Sequence, residues 1–330
     1  MLLKKWLLLF LLLLTGLLNY ADNGYRLWLK YDKIENKQLL ALYKNTMQQI
    51  SISGNSPSIQ KAKEELTIAA KGLLGISPKW NSSNSNLIIG TPESDKNIAA
   101  LRLSALDQIS NEGFLIVNKL LGGKPCTIIT AKTDIGILYG VFELLRQIKT
   151  EQNISALQIV SSPKVKLRLL NHWDNLNRTV ERGYAGASIW DWHKLPDYID
   201  RRYIDYARAN ASIGINGTVL TNVNANATIL TPQYLEKVAA LANTFRPYGL
   251  KVYLTARFSA PIEIGGLKTA DPLDANVKEW WKQKIKEIYT LIPDFGGFLV
   301  KANSEGQPGP QDYKRSHADG ANMFADLLAP

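Results

Sequence analysis

Apolar residues recur at helical spacing twice near the start of the chain. Leu39, Leu40, Leu42, Tyr43 and Met47 predict a helix within 28–49. Ile59, Ala62, Leu66, Ala69, Ala70 and Leu73 predict a second over 56–75, with Gly75 as its stop. The pattern then shortens. Residues 86–90, 112–117 and 125–130 read as buried strands bounded by turn residues, the last two joined across Gly122 and Gly123. A helix follows over 133–148, where Gly136 and Gly140 lie four apart and would let its backbone approach a sheet closely. The full glycine spacing of a phosphate loop is missing there, so packing is the expected role. From Lys166 strands and helices alternate: strands at 167–171, 215–220, 250–257 and from 298, helices at 198–211, 231–248, 276–292 and 313–328. Four strand–helix units in succession predict a parallel sheet with its strand ends on one side. An open doubly wound sheet and half of an eightfold barrel both fit. No glycine fingerprint follows the first strand, which weighs against a dinucleotide-binding sheet. The helical pattern breaks off at 330, as expected of a barrel interrupted partway.

Composition excludes more than it identifies. The chain has 330 residues, 45% hydrophobic and 21% charged, which suits a globular protein of two domains. Its net charge of +10 is carried by scattered Lys and Arg residues rather than a basic run, so it reads as a solvated surface and not a nucleic-acid footprint. The single cysteine, Cys126, excludes an internal disulfide and a cysteine-rich zinc site. The three histidines lack the spacing of a helical metal pair. At the N-terminus Lys4 and Lys5 precede an apolar run from Trp6 to Leu14, the layout of a secretory signal over 1–21 with cleavage near Ala21. Asn19, two positions before that site, leaves an uncleaved anchor as the alternative. The run is shorter than the roughly 20 residues of a membrane span, so no stable insertion is expected after cleavage. The mature protein is therefore expected to be secreted or periplasmic.

Candidate chemistry gathers just past the strand ends. In the last strand Lys301, Asn303 and Glu305 alternate onto one face, and Gly306 behind them would let a substrate come close. This is where a parallel barrel builds its reaction site. Glu305 reads as a proton donor in sugar chemistry, with an ordinary salt-bridge or surface role as the alternative. A neighbouring Lys301 would lower the pKa of that acid unless an anionic substrate group occupies the cation, which points to an acidic ligand. Trp173 could offer a flat partner to a sugar ring or serve core or interface packing, whereas Trp190, Trp192, Trp280 and Trp281 read as packing. His172 could bond a hydroxyl or cap its strand. Asn222 and Asn224, flanking Val223, suit sugar hydroxyls and turn formation equally.

Four stretches carry a resemblance: Asn171-His172-Trp173-Asp174-Asn175, Ser188-Ile189-Trp190-Asp191, Thr221-Asn222-Val223-Asn224-Ala225, and the run from Lys301 through Asn303, Glu305 and Gly306 to Pro310. Together they resemble glycoside hydrolase family 67, the alpha-glucuronidases. The resemblance implies a small α+β N-terminal domain over 22–163 and, over 164–330, the first half of a (β/α)8 TIM barrel, truncated. It implies removal of α-1,2-linked glucuronic acid or its 4-O-methyl ether from glucuronoxylan-derived xylo-oligosaccharides, with inversion and without metal or cofactor. Glu305 matches the family's general acid and Lys301 the lysine that binds the uronate carboxylate. Trp173 matches an aromatic wall of the pocket, and Val223 an apolar residue near the sugar's 4-position. His172 and Asn303 complete the expected substrate-binding set. Inversion needs a second carboxylate roughly 6.5–9.5 Å from the acid, and in the family it comes from later strands. Asp312 and Asp319 are poorly placed to replace it. The 330-residue chain is thus expected to be an inactive fragment that exposes apolar faces, and the full-length protein a homodimer. A non-catalytic carbohydrate-binding protein is the alternative from another class.

Overall fold

The computed structural model describes residues 23–81, 84–224, 226–301 and 306–328, and the expected signal segment lies outside them. The first predicted helix is α1 (Lys37–Met47), opened by Asn36, whose side chain accepts the free N–H groups of Gln38 and Leu39. Strand β1 (Gln49–Ile52) follows almost at once. Next comes α2 (Pro57–Ala69), capped by Ser56 and prolonged by a single wide turn over Ala70–Leu74. Gly75 ends it at φ +65°, a left-handed conformation that costs glycine little.

Strands β2 (Lys79–Trp80), β3 (Leu87–Ile89), β4 (Phe114–Leu121) and β5 (Lys124–Ala131) precede α3 (Asp134–Lys149), and β6 (Gln158–Ser161) completes this part. They form a six-stranded sheet in the order β2-β1-β3-β5-β4-β6, with β4 antiparallel to both neighbours. The hairpin at Gly122 and Gly123 forms as expected, both residues having positive φ. The close approach of α3 to this sheet is also present. A Cβ on Gly136 would lie 2.4 Å from the Gly113 carbonyl oxygen, and one on Gly140 2.6 Å from Ile129 Cγ2. The sequence reading missed β1, β2 and β6. None of them is a continuous apolar run bounded by turn residues: β1 follows α1 after a single residue, β2 has two residues, and β6 is a partly exposed edge strand.

The second sheet contains the four expected parallel strands: β7 (Leu169–Asn171), β8 (Gly217–Val219), β9 (Lys251–Arg257) and β10 (Gly297–Lys301), in the order β10-β9-β8-β7. Helices α4 (Arg201–Ala211), α5 (Pro232–Phe245) and α6 (Ala275–Leu291) make the crossovers, and α7 (His317–Leu328) follows β10. The last predicted helix therefore starts later than 313. A 3₁₀ turn over Pro310–Tyr313 comes first, and Ser316 and Asp319 then bond reciprocally at the true start. In β9, Val252, Leu254 and Ala256 are buried towards the helices, where Trp281, Ile288 and Phe245 are also fully enclosed. The four strands form an open sheet whose edge strands are β7 and β10. Apolar side chains at those edges are exposed, among them Leu167 (63%), Leu170 (38%) and Val300 (38%).

Buried polar groups join the two sheets. Arg208 on α4 forms a two-pronged pair with Glu65 on α2, at 2.6 and 2.7 Å, and Tyr31 donates to the same carboxylate. At a second joint Arg168 donates to Glu112, which also accepts from Asn216 at 3.0 Å.

Candidate active site

Because β7 to β10 run parallel, the residues that leave their C-terminal ends collect along one rim of the sheet. Two neighbours just beyond β7 part company there. His172 turns towards the helices: its Nε2 lies 2.8 Å from the Tyr206 hydroxyl, which donates to Thr218 at 2.9 Å. Its ring stands 5.1 Å from that of Trp190. Burial and the Asp174 charge hold the Tyr206 phenol neutral, with its pKa well above the ordinary value. Trp173 turns the other way and is 49% exposed, which leaves an indole face available to a ligand. Trp190 and Trp192 are buried, as the packing reading requires.

The loop between Trp173 and Trp190 folds back over the strand end. Asp174 is buried and accepts from Ser188, whose oxygen accepts the Trp190 N–H at 3.0 Å. Asp174 and Val180 form a bridge, and Thr179 forms another with Ala187. The first two resembling stretches thus hold each other in place. Asn222 is likewise used internally. Its side chain donates to the Trp173 carbonyl at 3.3 Å and accepts from Asn224 N–H at 2.9 Å. Turn formation is therefore what its amide does here. Val223, half-buried, sits in that turn directly beyond β8.

At the other end of the rim Lys301 is 3% exposed and stands opposite Arg257 in the β9–β10 register. Adjacent residues of parallel strands point to the same face, so two cations share this position. Arg257 Nη1 is 3.3 Å from Glu263, which also accepts from Ser259. Two cations side by side at a strand end suit an anionic ligand group. Sequence reading named Lys301 but passed over Arg257, although a cation closing a buried strand is the signal that would have found it. Asn303 and Glu305 lie outside the described residues. Asp312 accepts from Gly309 N–H, and Asp319 from Ser316, so both carboxylates serve local turns. Among the described residues no group of three His, Cys, Asp or Glu side chains converges to hold a metal ion.

Comparison with known proteins matches this arrangement to one family. The sequence model described as "Glycosyl hydrolase family 67 middle domain" matches residues 147–330, and that described as "Glycosyl hydrolase family 67 N-terminus" matches 27–144. The chain belongs to glycosyl hydrolase family 67. It is 38% identical to "Probable alpha-glucuronidase A" of Aspergillus oryzae, over 98% of this chain and 38% of that protein. It is 36% identical to "Alpha-glucuronidase A" of Emericella nidulans, over 97% of this chain and 39% of that one. The family 67 chain thus spans well under half the length of these curated relatives. Its fold is similar to that of a solved family GH115 4-O-methyl-alpha-glucuronidase, with a TM-score of 0.53 at 14% identity, covering 86% of this chain and 40% of the other.

Proposed function

We propose that this chain supplies the uronate-recognising part of an alpha-glucuronidase, a secreted enzyme that removes α-1,2-linked (4-O-methyl)glucuronic acid from xylo-oligosaccharides with inversion. The observation that carries the reading is the buried Lys301 beside Arg257 at the end of β10, on the strand that leads directly to Glu305. The sugar's carboxylate binds at this cationic corner, and the Trp173 indole covers an apolar ring face. Val223 lies near the 4-position.

In the reaction Glu305 gives its proton to the glycosidic oxygen as the bond from that oxygen to the anomeric carbon breaks. Water attacks the anomeric carbon from the opposite face and passes its proton to a second carboxylate, roughly 6.5–9.5 Å from the acid. Uronate bound at Lys301 cancels the charge that would otherwise keep Glu305 ionised, so substrate binding itself helps hold the acid protonated. We take β7 to β10 as the first four strands of a (β/α)8 barrel over 164–330, preceded by an α+β domain over 22–163. The exposed apolar residues on both edge strands favour that reading. The second carboxylate then comes from later strands of a longer polypeptide, a homodimer when complete.

The test compares the 330-residue chain with a polypeptide extended to the relatives' length, both given aldouronic acids. Release of glucuronic acid is expected from the extended form alone. In that form Glu305→Ala lowers turnover by about 10²–10⁴-fold on xylo-oligosaccharides and far less on an aryl glucuronide whose leaving group needs no proton. Equal slowing on both substrates would remove the acid assignment.

A further inference from the structure

One carboxylate at the rim is used by nothing described so far. Glu181 lies in the loop that folds back over β7, and its side chain is only 13% exposed. Its Oε2 is buried and has no hydrogen-bond partner. Its Oε1 meets only Arg182 Nε, at 3.8 Å, beyond hydrogen-bond length. A desolvated carboxylate oxygen without a donor is unfavourable, so such a group either weakens the fold to no purpose or awaits a donor. The backbone favours the second reading. Glu181 adopts φ +56°, a left-handed conformation that side-chain-bearing residues avoid. It is held there by two bonds: its N–H donates to the Trp173 carbonyl at 2.8 Å, and Asn175 Nδ2 donates to its own carbonyl at 2.6 Å. The strand end that presents the Trp173 indole thus also fixes the position of this carboxylate.

We infer that Glu181 is a further carbohydrate-binding residue, its Oε2 accepting a hydrogen bond from a hydroxyl of the sugar that lies at the Trp173 end of the site. A metal ion is a poor candidate, since no cluster of three ligating side chains forms among the described residues. A uronate carboxylate is excluded by like charge. It belongs with Lys301 and Arg257, on the strands farther along the sheet. Hydroxyl donors remain, and a sugar supplies them. The site then has two polar poles, cationic for the acid group and anionic for hydroxyls. That role presupposes the uronic-acid site proposed above.

Calorimetric titration of the 330-residue chain with glucuronic acid α-1,2-linked to xylobiose tests the inference, alongside urea unfolding without ligand. Glu181→Leu keeps the size of the side chain but removes the acceptor. It is expected to weaken binding roughly ten- to hundredfold, as for loss of a hydrogen bond to a charged group. Its unfolding midpoint should rise, because a buried carboxylate oxygen without a hydrogen-bond donor is gone. Glu181→Gln keeps a neutral acceptor and should restore part of the affinity. Wild-type affinity in Glu181→Leu would overturn the inference alone, as would a lowered unfolding midpoint, which would make the residue structural. No heat of binding from the wild-type chain would overturn the uronic-acid reading and this role with it.

Discussion

Removing the Arg208 guanidinium should loosen the joint between the two sheets. Glu65 is almost wholly enclosed, its side chain 4% exposed, and Arg208 satisfies both of its oxygens at 2.6 and 2.7 Å. Arg208→Ala leaves that carboxylate with the Tyr31 hydroxyl as its one remaining side-chain donor. Two hydrogen bonds to a charged group at about 1.5–3 kcal/mol each give a loss of about 3–6 kcal/mol. Breaking a buried ion pair by removing one partner costs about 3–5 kcal/mol, in agreement. With a denaturant slope of about 3 kcal/mol per molar urea, the unfolding midpoint should fall by about 1–1.7 M. The paired replacement, Glu65→Leu with Arg208→Met, removes both charges and should return most of that stability, since apolar substitutes for a whole buried pair are often neutral. Tryptophan fluorescence and far-ultraviolet circular dichroism would follow unfolding of both sheets. In wild type the two signals should change together, and in Arg208→Ala they should separate as each sheet unfolds alone. A midpoint shift under about 0.3 M, or a double variant as unstable as the two single losses added together, would refute this account of the joint.

The approach of α3 to the first sheet gives a graded pair of variants. Gly140→Ala places a Cβ 2.6 Å from Ile129 Cγ2, a side-chain atom that can give way, and should cost about 1–3 kcal/mol less about 1 kcal/mol gained in helix propensity. Gly136→Ala meets the Gly113 carbonyl, which is backbone, and should have the lower unfolding midpoint of the two. Alkaline unfolding should reveal the buried phenols. Burial, with nearby carboxylates adding to it, raises the pKa of Tyr31, Tyr139, Tyr206 and Tyr248 above the ordinary 10.0. The folded chain therefore binds more protons than the unfolded one above pH 10. The contribution of these groups is whole below that pH and is lost as pH rises. Absorbance of tyrosinate should show these four ionising only as circular dichroism reports unfolding, and ionisation in the folded chain would contradict it.

Much of the architecture was legible because hydrophobic period and turn chemistry act over short distances. The alternation from Lys166 onward yielded the four parallel strands and their helices, and Asn36, Ser56 and Gly75 mark helix ends by local hydrogen bonding or backbone freedom. Strands β1, β2 and β6 were not legible, because none is a continuous apolar run bounded by turns, and each is defined by the neighbouring backbone that completes its hydrogen bonds.

The site divides in the same way. Lys301 and Trp173 could be named from their places at strand ends, and the strand period put Lys301 on one face with Asn303 and Glu305. Pairing across strands lay beyond that reasoning. Only the register sets Arg257 beside Lys301, although 44 positions separate them in the chain. Adjacent His172 and Trp173 look equally suited to a sugar in sequence, yet Tyr206, arriving from α4, engages the histidine while the indole stays exposed. Glu181 is one charged loop residue among several until the fold buries its carboxylate at the rim. Local chemistry determines which elements form. Burial and the partners each group meets depend on contacts between distant segments, so the tertiary structure decided which of the candidate residues face a ligand.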